Sequence, residues 1–193
     1  MVRTLQLLLD ILWPQDEPKV STSAAVSVKK FTDIHYLLPY KQTTTQQIIK
    51  NNKYHAQSYA AKQLAYLLDQ YCDTQTEDFV ILPMPISNKR WRERGYNHIE
   101  RILTYSRYKH TVRSDLLYKK VHTKQQTHVT KSDRVKQQVG TFASKQLKNL
   151  PLPHFVLLLD DVVTTGATMR AAKQAVQKEL PPNTKIICLA IAH

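Results

Sequence analysis

The chain has 193 residues, 42% of them hydrophobic, and 28 Lys and Arg against 15 Asp and Glu give a formal charge of +13. That length fits one domain with a small appended segment, the apolar share suffices for a real core, and nothing is low-complexity. No apolar run reaches the roughly 20 residues of a membrane span, and the two cysteines, Cys72 and Cys188, form no CxxC pair to hold zinc. The cation excess favours polyanionic partners: phosphorylated substrates, nucleic acid, or both.

In chain order, the apolar stretch from Leu5 to Trp13 is interrupted by Asp10, preceded only by Arg3, and followed by no small-residue cleavage site. It reads as a short core helix or docking strand rather than a signal peptide, and the protein is expected to be cytoplasmic. The remainder of residues 1–40 is irregular, with Pro14 and Pro18. Between residues 45 and 71 the spacing of Ile48, Ile49, Ala56, Tyr59, Ala60, Leu64, Leu67, Leu68 and Tyr71 predicts helix in one or two pieces. Residues 79–82 are a short apolar strand stopped by Pro83.

Two prolines, Pro83 and Pro85, then lead into a loop with four cations within six residues, Lys89, Arg90, Arg92 and Arg94, before a helix over residues 97–108. Residues 119–138 lack an apolar stripe and read as an exposed, polar, mobile loop. The run 156–159 predicts a buried strand ending at Asp160-Asp161, followed by a hydroxyl-rich turn and a helix over 167–180 with Met169, Ala172, Val176 and Leu180 on one face. A last strand covers residues 186–192 and buries Cys188. The βα alternation predicts an α/β fold, a parallel sheet with helices on both faces.

Three segments carry chemistry, and the scarcity of glycine marks them. Average usage of about 7% would place roughly thirteen glycines in such a chain, yet there are three, and Gly95, Gly140 and Gly166 each fall in a different segment. In the segment around Gly166, Asp160 and Asp161 can accept hydrogen bonds from sugar hydroxyls or hold a cation, so they cannot serve a phosphate. The hydroxyls of Thr164, Thr165 and Thr168, with the N–H groups of Gly166 and Ala167 at the helix start, suit a phosphate. Around Gly95, Arg90, Arg92 and Arg94 can grip phosphate oxygens bidentately on a turn stiffened by proline. Residues 119–142, with Lys119, Thr123, Gln126, Arg134 and Gly140, suit a lid closing over an anion. Caps and a solvated basic face are the bland readings; they account for single residues but not for the whole string 156–168.

That string, four apolar residues, Asp160-Asp161, two variable residues, then Thr164-Thr165-Gly166-Ala167-Thr168, resembles the 5-phosphoribosyl-1-pyrophosphate (PRPP) motif of type I phosphoribosyltransferases. With Pro83, Pro85, Arg90, Arg92, Glu93, Arg94, Gly95 and Asn97, and with Thr123, Gln126, Thr127, Arg134, Gly140 and Phe142, the chain resembles the ComF (ComFC/GntX-like) branch, tied to DNA uptake. Tyr96 stands where Phe is usual, His98 for Gln, Lys119 for Arg and Gln137 for Asn. The resemblance covers about residues 79–193 and, more loosely, the helix around Lys53 and Tyr54.

It implies the type I phosphoribosyltransferase fold for residues 45–193, with residues 1–44 as a small N-terminal hood that lacks the zinc ribbon of many members. It also implies PRPP as substrate with Mg²⁺ beside Asp160 and Asp161, no zinc, and pentosyl transfer. Asp160 and Asp161 would be catalytic and hold the ribose, and residues 164–168 would hold the 5′-phosphate. Pro85, Arg90, Arg92, Arg94, Gly95 and Asn97 would hold pyrophosphate, and Lys119, Thr123, Gln126 and Arg134 would line the loop. The partners expected are PRPP, single-stranded DNA and competence DNA-uptake proteins, without membrane insertion. Two alternatives stay open: a non-catalytic single-stranded-DNA-binding accessory protein, and a nucleobase-salvage phosphoribosyltransferase.

Overall fold

A computed structural model describes residues 27–120, 141–145 and 153–193. Its frame is a five-stranded sheet in the order β1-β2-β7-β6-β3. The strands are β1 (Lys29–Phe31), β2 (Ile34–Leu38), β3 (Phe79–Pro83), β6 (Phe155–Val162) and β7 (Lys185–Ala192). Only the β1–β2 pair is antiparallel; β2–β7, β7–β6 and β6–β3 are parallel. A separate antiparallel ribbon joins β4 (Leu117–Lys119) to β5 (Phe142–Ser144). The α/β class and the mostly parallel sheet agree with the reading of the sequence, but within the segment expected to be irregular up to residue 40, β1 and β2 form and join that same sheet. Among the described residues no helix is long and apolar enough to cross a membrane.

Both faces of the sheet are covered, which is why its strands read as apolar runs rather than alternations. One face carries α1 (Thr43–Tyr54), α2 (Ser58–Cys72) and α4 (His98–Thr104), whose Ile48, Leu64, Leu68, Ile99 and Ile102 pack with Ile81, Phe155, Leu157, Leu159 and Leu189. The other carries α5 (Ala167–Gln177), whose Met169, Ala172 and Val176 pack with Leu82, Val156, Leu158, Cys188 and Ala190. Alternate residues of β6 thus serve opposite cores, the two-residue period of a strand.

Four further expectations need adjusting. The strand expected over 156–159 runs on to Val162, because Asp160 and Val162 still pair with Ala190 and Ala192; ladder pairing is a backbone property and is not ended by a carboxylate. The four-cation loop is a short helix, α3 (Asn88–Arg94), capped by Ser87 Oγ accepting from Arg90 N–H at 3.3 Å and closed by Gly95 at φ +75°. The helix expected to reach residue 108 stops at Thr104, since buried Asp69 accepts from Ser106 Oγ and Arg107 N–H and draws the chain into a turn. The helix expected to reach residue 180 ends at Gln177, although Leu180 stays buried just ahead of the Pro181-Pro182 pair. Residues 121–138 of the expected loop lie outside the described residues.

Candidate functional site

Neighbouring strands β3 and β6 send their following helices to opposite faces, α4 to one core and α5 to the other. Their carboxyl ends therefore open a crevice at a topological switch point, where open α/β sheets bind ligands. A cleft of about 390 Å³ lies there, and its lining includes Pro85, Arg90, Lys119, Asp160, Asp161, Thr164 and Thr168. All three chemistry-bearing segments of the sequence contribute to it. Larger hollows of about 480 and 550 Å³ lie elsewhere, lined by His35, Tyr71 and Lys185, and by Asp78, His110 and His154. Neither carries a motif residue, so size is not what marks the site.

The acid pair stands one residue before the end of β6, and its two members differ. Asp161 is 3% exposed. Its Oδ1 accepts from Val162 N–H at 2.8 Å, and its Oδ2 accepts from Lys53 Nζ of α1 at 2.8 Å. His98 Nε2 stands 3.2 Å from the same Oδ2, but off the line of a hydrogen bond. Burial alone would raise this carboxyl; the adjacent His98 ring and Lys53 ammonium outweigh it and hold Asp161 well below the usual carboxylate range. Asp160 is half-buried and accepts only Asp161 N–H, at 2.9 Å, among the described residues. Burial first, and then the charge of Asp161, push its pKa up to about 7. Two carboxylates side by side are thus held in opposite charge preferences.

The turn after β6 presents exposed Thr164 and Thr165, and the first turn of α5 presents exposed Thr168. Gly166 sits at φ +74°, and a Cβ there would come within 2.6 Å of Arg170 Nη1 and 2.8 Å of Ile34 Cδ1. The positive φ is what calls for glycine, since both of those side-chain ends can move aside. As N-cap of α5 it offers no side chain, so the first-turn N–H groups are left facing outward, apart from a long 3.4 Å contact of Ala167 N–H with Thr165 Oγ1. Arg170 Nη2 donates to Thr165 O at 2.7 Å and pins the turn from behind.

Of the expected pyrophosphate group, Pro85 and Arg90 line the cleft, while helical spacing spreads the other cations around α3. Arg94 stacks 4.8 Å over the Tyr54 ring and approaches His98 Nδ1 at 3.4 Å; Arg92 is exposed. Gly95 terminates α3. Asn97 caps α4, accepting from Ile99 N–H at 3.0 Å and donating to Met84 O at 3.2 Å. Gly95 and Asn97 therefore shape the turn from within it. Lys119 reaches the cleft from β4, 5.4 Å over the Phe142 ring. Burial lowers its pKa, Arg90 adds to that, and Asp160 opposes it. Thr123, Gln126 and Arg134 lie outside the described residues.

The sequence reading did not anticipate the α1 wall of the cleft: Ile49, Lys50, Lys53 and Tyr54, with Tyr40 just ahead of the helix and His98 also in the lining. Helical spacing flagged α1 as a helix, and a lysine on it carries no motif. The only hint was the loose extension of the resemblance to Lys53 and Tyr54. Asn52 Nδ2, donating to His98 O at 2.9 Å, and Tyr96 OH, donating to Asn52 O at 2.9 Å, fix that wall to α4 and to the turn before it.

Fold and cleft together define an α/β protein with a crevice of mixed acids, hydroxyls and cations at the carboxyl edge of a mostly parallel sheet. Over 114 residues the chain is 25% identical to the competence protein ComFC of Streptococcus pneumoniae, covering 58% of this chain and 48% of that one. The chain thus spans about half the length of the curated relative it matches. No protein-family model matches it.

Proposed function

We propose that this cleft binds PRPP with Mg²⁺ and that the protein acts in competence-related DNA uptake, with phosphoribosyl transfer as its chemistry. The observation that carries the reading is convergence: an acid pair, a threonine-rich helix start and cations from separate parts of the chain meet in one crevice. Similarity to a competence protein supports the biological setting.

The division of roles follows from donor and acceptor chemistry. The hydroxyls of Thr164 and Thr168 and the open N–H groups of α5 receive the 5′-phosphate. Arg90 and Lys119 face the pyrophosphate, and the carboxyl end of β6, which carries the acid pair, faces the ribose hydroxyls. The carboxylate oxygens suit a hard divalent ion, and Asp160 has the freer oxygens to hold one. Bound Mg²⁺ would supply neutralising charge for the departing pyrophosphate. The residues of the chain then hold the phosphates, orient the ribose and stabilise charge as the C1–O bond breaks.

The test is calorimetric titration of PRPP with Mg²⁺. Asp160→Asn combined with Asp161→Asn is expected to abolish binding, and unchanged affinity overturns the reading. Turnover with free nucleobases would assign the salvage alternative.

A second reading, single-stranded DNA binding without turnover, is favoured by one surface feature. Trp91 and Tyr54 are 50% and 60% exposed beside Arg90, Arg92 and Arg94, the mix of stacking faces and cations that single strands use. Ligand binding in the cleft and strand binding on this surface are compatible on one molecule; turnover separates the two readings.

A further inference from the structure

Adjacent residues of a strand project to opposite faces of the sheet. On β6, Phe155, Leu157 and Leu159 belong to the core under α1, α2 and α4, and Asp161 continues that face. Val156 and Leu158 belong to the core under α5, and Asp160 continues that one. The pair is therefore split between two environments. Asp161 meets Lys53 of α1 and His98 of α4 and is nearly sealed, with both oxygens engaged by protein groups. Asp160 keeps solvent contact and has one oxygen without a hydrogen bond among the described residues.

Lys53 is the other half of this arrangement. Its side chain is 19% exposed and lines the cleft. An ammonium has three N–H donors, and Asp161 takes one. Among the described residues two remain unclaimed at the cleft wall, on a cation whose long stem would sample many rotamers without its buried partner.

We propose that Lys53 is a ligand-contacting cation of the cleft, that Asp161 is the residue positioning it, and that Asp160 alone of the acid pair meets the ligand. The assignment rests on the phosphoribosyl reading above and departs from the expectation that both acids hold the ribose. A purely structural ion pair would govern folding; a positioning pair governs affinity, and only while Lys53 is present.

The experiment is a double-mutant cycle read by calorimetric titration of PRPP with Mg²⁺, with thermal melting and far-ultraviolet circular dichroism to verify folding of each variant. Lys53→Met is expected to weaken binding about tenfold or more, as for loss of a charge-assisted hydrogen bond. Lys53→Arg is expected to restore most of that loss. Asp161→Asn should cost about as much as Lys53→Met, and the Lys53→Met, Asp161→Asn double variant no more than either. Wild-type affinity in Lys53→Met overturns the proposal. So does an Asp161→Asn loss as large in the Lys53→Met background as in the wild type, because Asp161 would then touch the ligand itself. If Asp161→Asn does not fold, the Met and Arg variants of Lys53 decide: equal affinities for the two overturn it.

A wild-type protein that ignores PRPP but takes inorganic pyrophosphate overturns the phosphoribosyl reading and leaves the same cycle to be run with pyrophosphate. One that takes neither overturns both.

Discussion

At the scale of single residues, the opposite charge preferences of Asp160 and Asp161 make a stability prediction with a definite sign. Asp160 has its folded pKa raised to about 7 by burial and by Asp161. Its neutral form is the one the fold prefers. The stability it contributes is present below the ordinary carboxylate pKa and lost as pH rises through about 7. Asp160→Asn removes that loss, so the variant should melt higher than wild type at pH 8, and the gap should close towards pH 4. A gain of about 1 kcal/mol corresponds to roughly 2–4 °C for a chain of this size. Thermal melts across that pH range check it; a gap that is independent of pH rules it out. Asp161 has the reverse sign. Its depressed folded pKa contributes stability that is present above the ordinary carboxylate pKa and is lost only in strong acid. Asp161→Asn leaves the Lys53 ammonium without its buried partner and should cost about 3 kcal/mol near pH 7. The two neighbouring substitutions should therefore move the melting temperature in opposite directions.

At the scale of elements, the site depends on how α1, α2 and α4 are fixed to one another, and a polar tie does part of this. Asp69 of α2 is buried and accepts from Ser106 Oγ, Arg107 N–H and Arg107 Nε just past the end of α4. Asp69→Ala strands the Ser106 hydroxyl and a backbone N–H, which should cost about 1–3 kcal/mol. Arg107→Ala removes a side chain that is 66% exposed, and should cost clearly less than Asp69→Ala. Denaturant melts of the two variants compare them, and equal losses would show that the surface ion pairs of Arg107, rather than the buried acceptor, hold the turn. This tie also shows where the sequence stops being legible. The apolar periods of α1, α2, α5, β3, β6 and β7 could be read directly, because burial on a regular element leaves a periodic trace. So could the motif residues, whose spacing is imposed by local loop geometry. The early end of α4 could not, since Asp69 lies far from Ser106 in sequence and one buried carboxylate has no period. Lys53 was missed for the same reason: its pairing with Asp161 spans the chain and is settled only when α1 packs beside β6. The helical form of α3 lay within reach, as Ser87 before it and Gly95 after it are cap residues.

At the scale of the whole molecule, the charge of +13 is far larger than one phosphoribosyl ligand requires. Much of it lies away from the cleft: Lys29 and Lys30 are exposed on the edge strand β1, and Lys89 and Arg92 are exposed on α3. Among the described residues their partners are few. Lys89 reaches Glu93 only at 3.9 Å, a surface pair of little worth. Such a surface attracts a polyanion at long range, and the exposed Trp91 ring supplies a face that any base can stack on. The two contributions separate under salt. Each phosphate contact adds about 0.7 to the slope of log affinity against log salt for a single strand, whereas stacking adds affinity without slope. Titrating a fluorescent oligothymidine over a range of sodium chloride should therefore give a steep, linear loss of affinity. Arg92→Ala should lower that slope by about 0.7, whereas Trp91→Ala should weaken binding by about 1–3 kcal/mol at every salt concentration and leave the slope unchanged. A flat salt series would reject the nucleic-acid reading. A steep series that neither substitution alters would place the strand on another basic face, and charge reversal at Lys29 and Lys30 is the measurement that would then locate it.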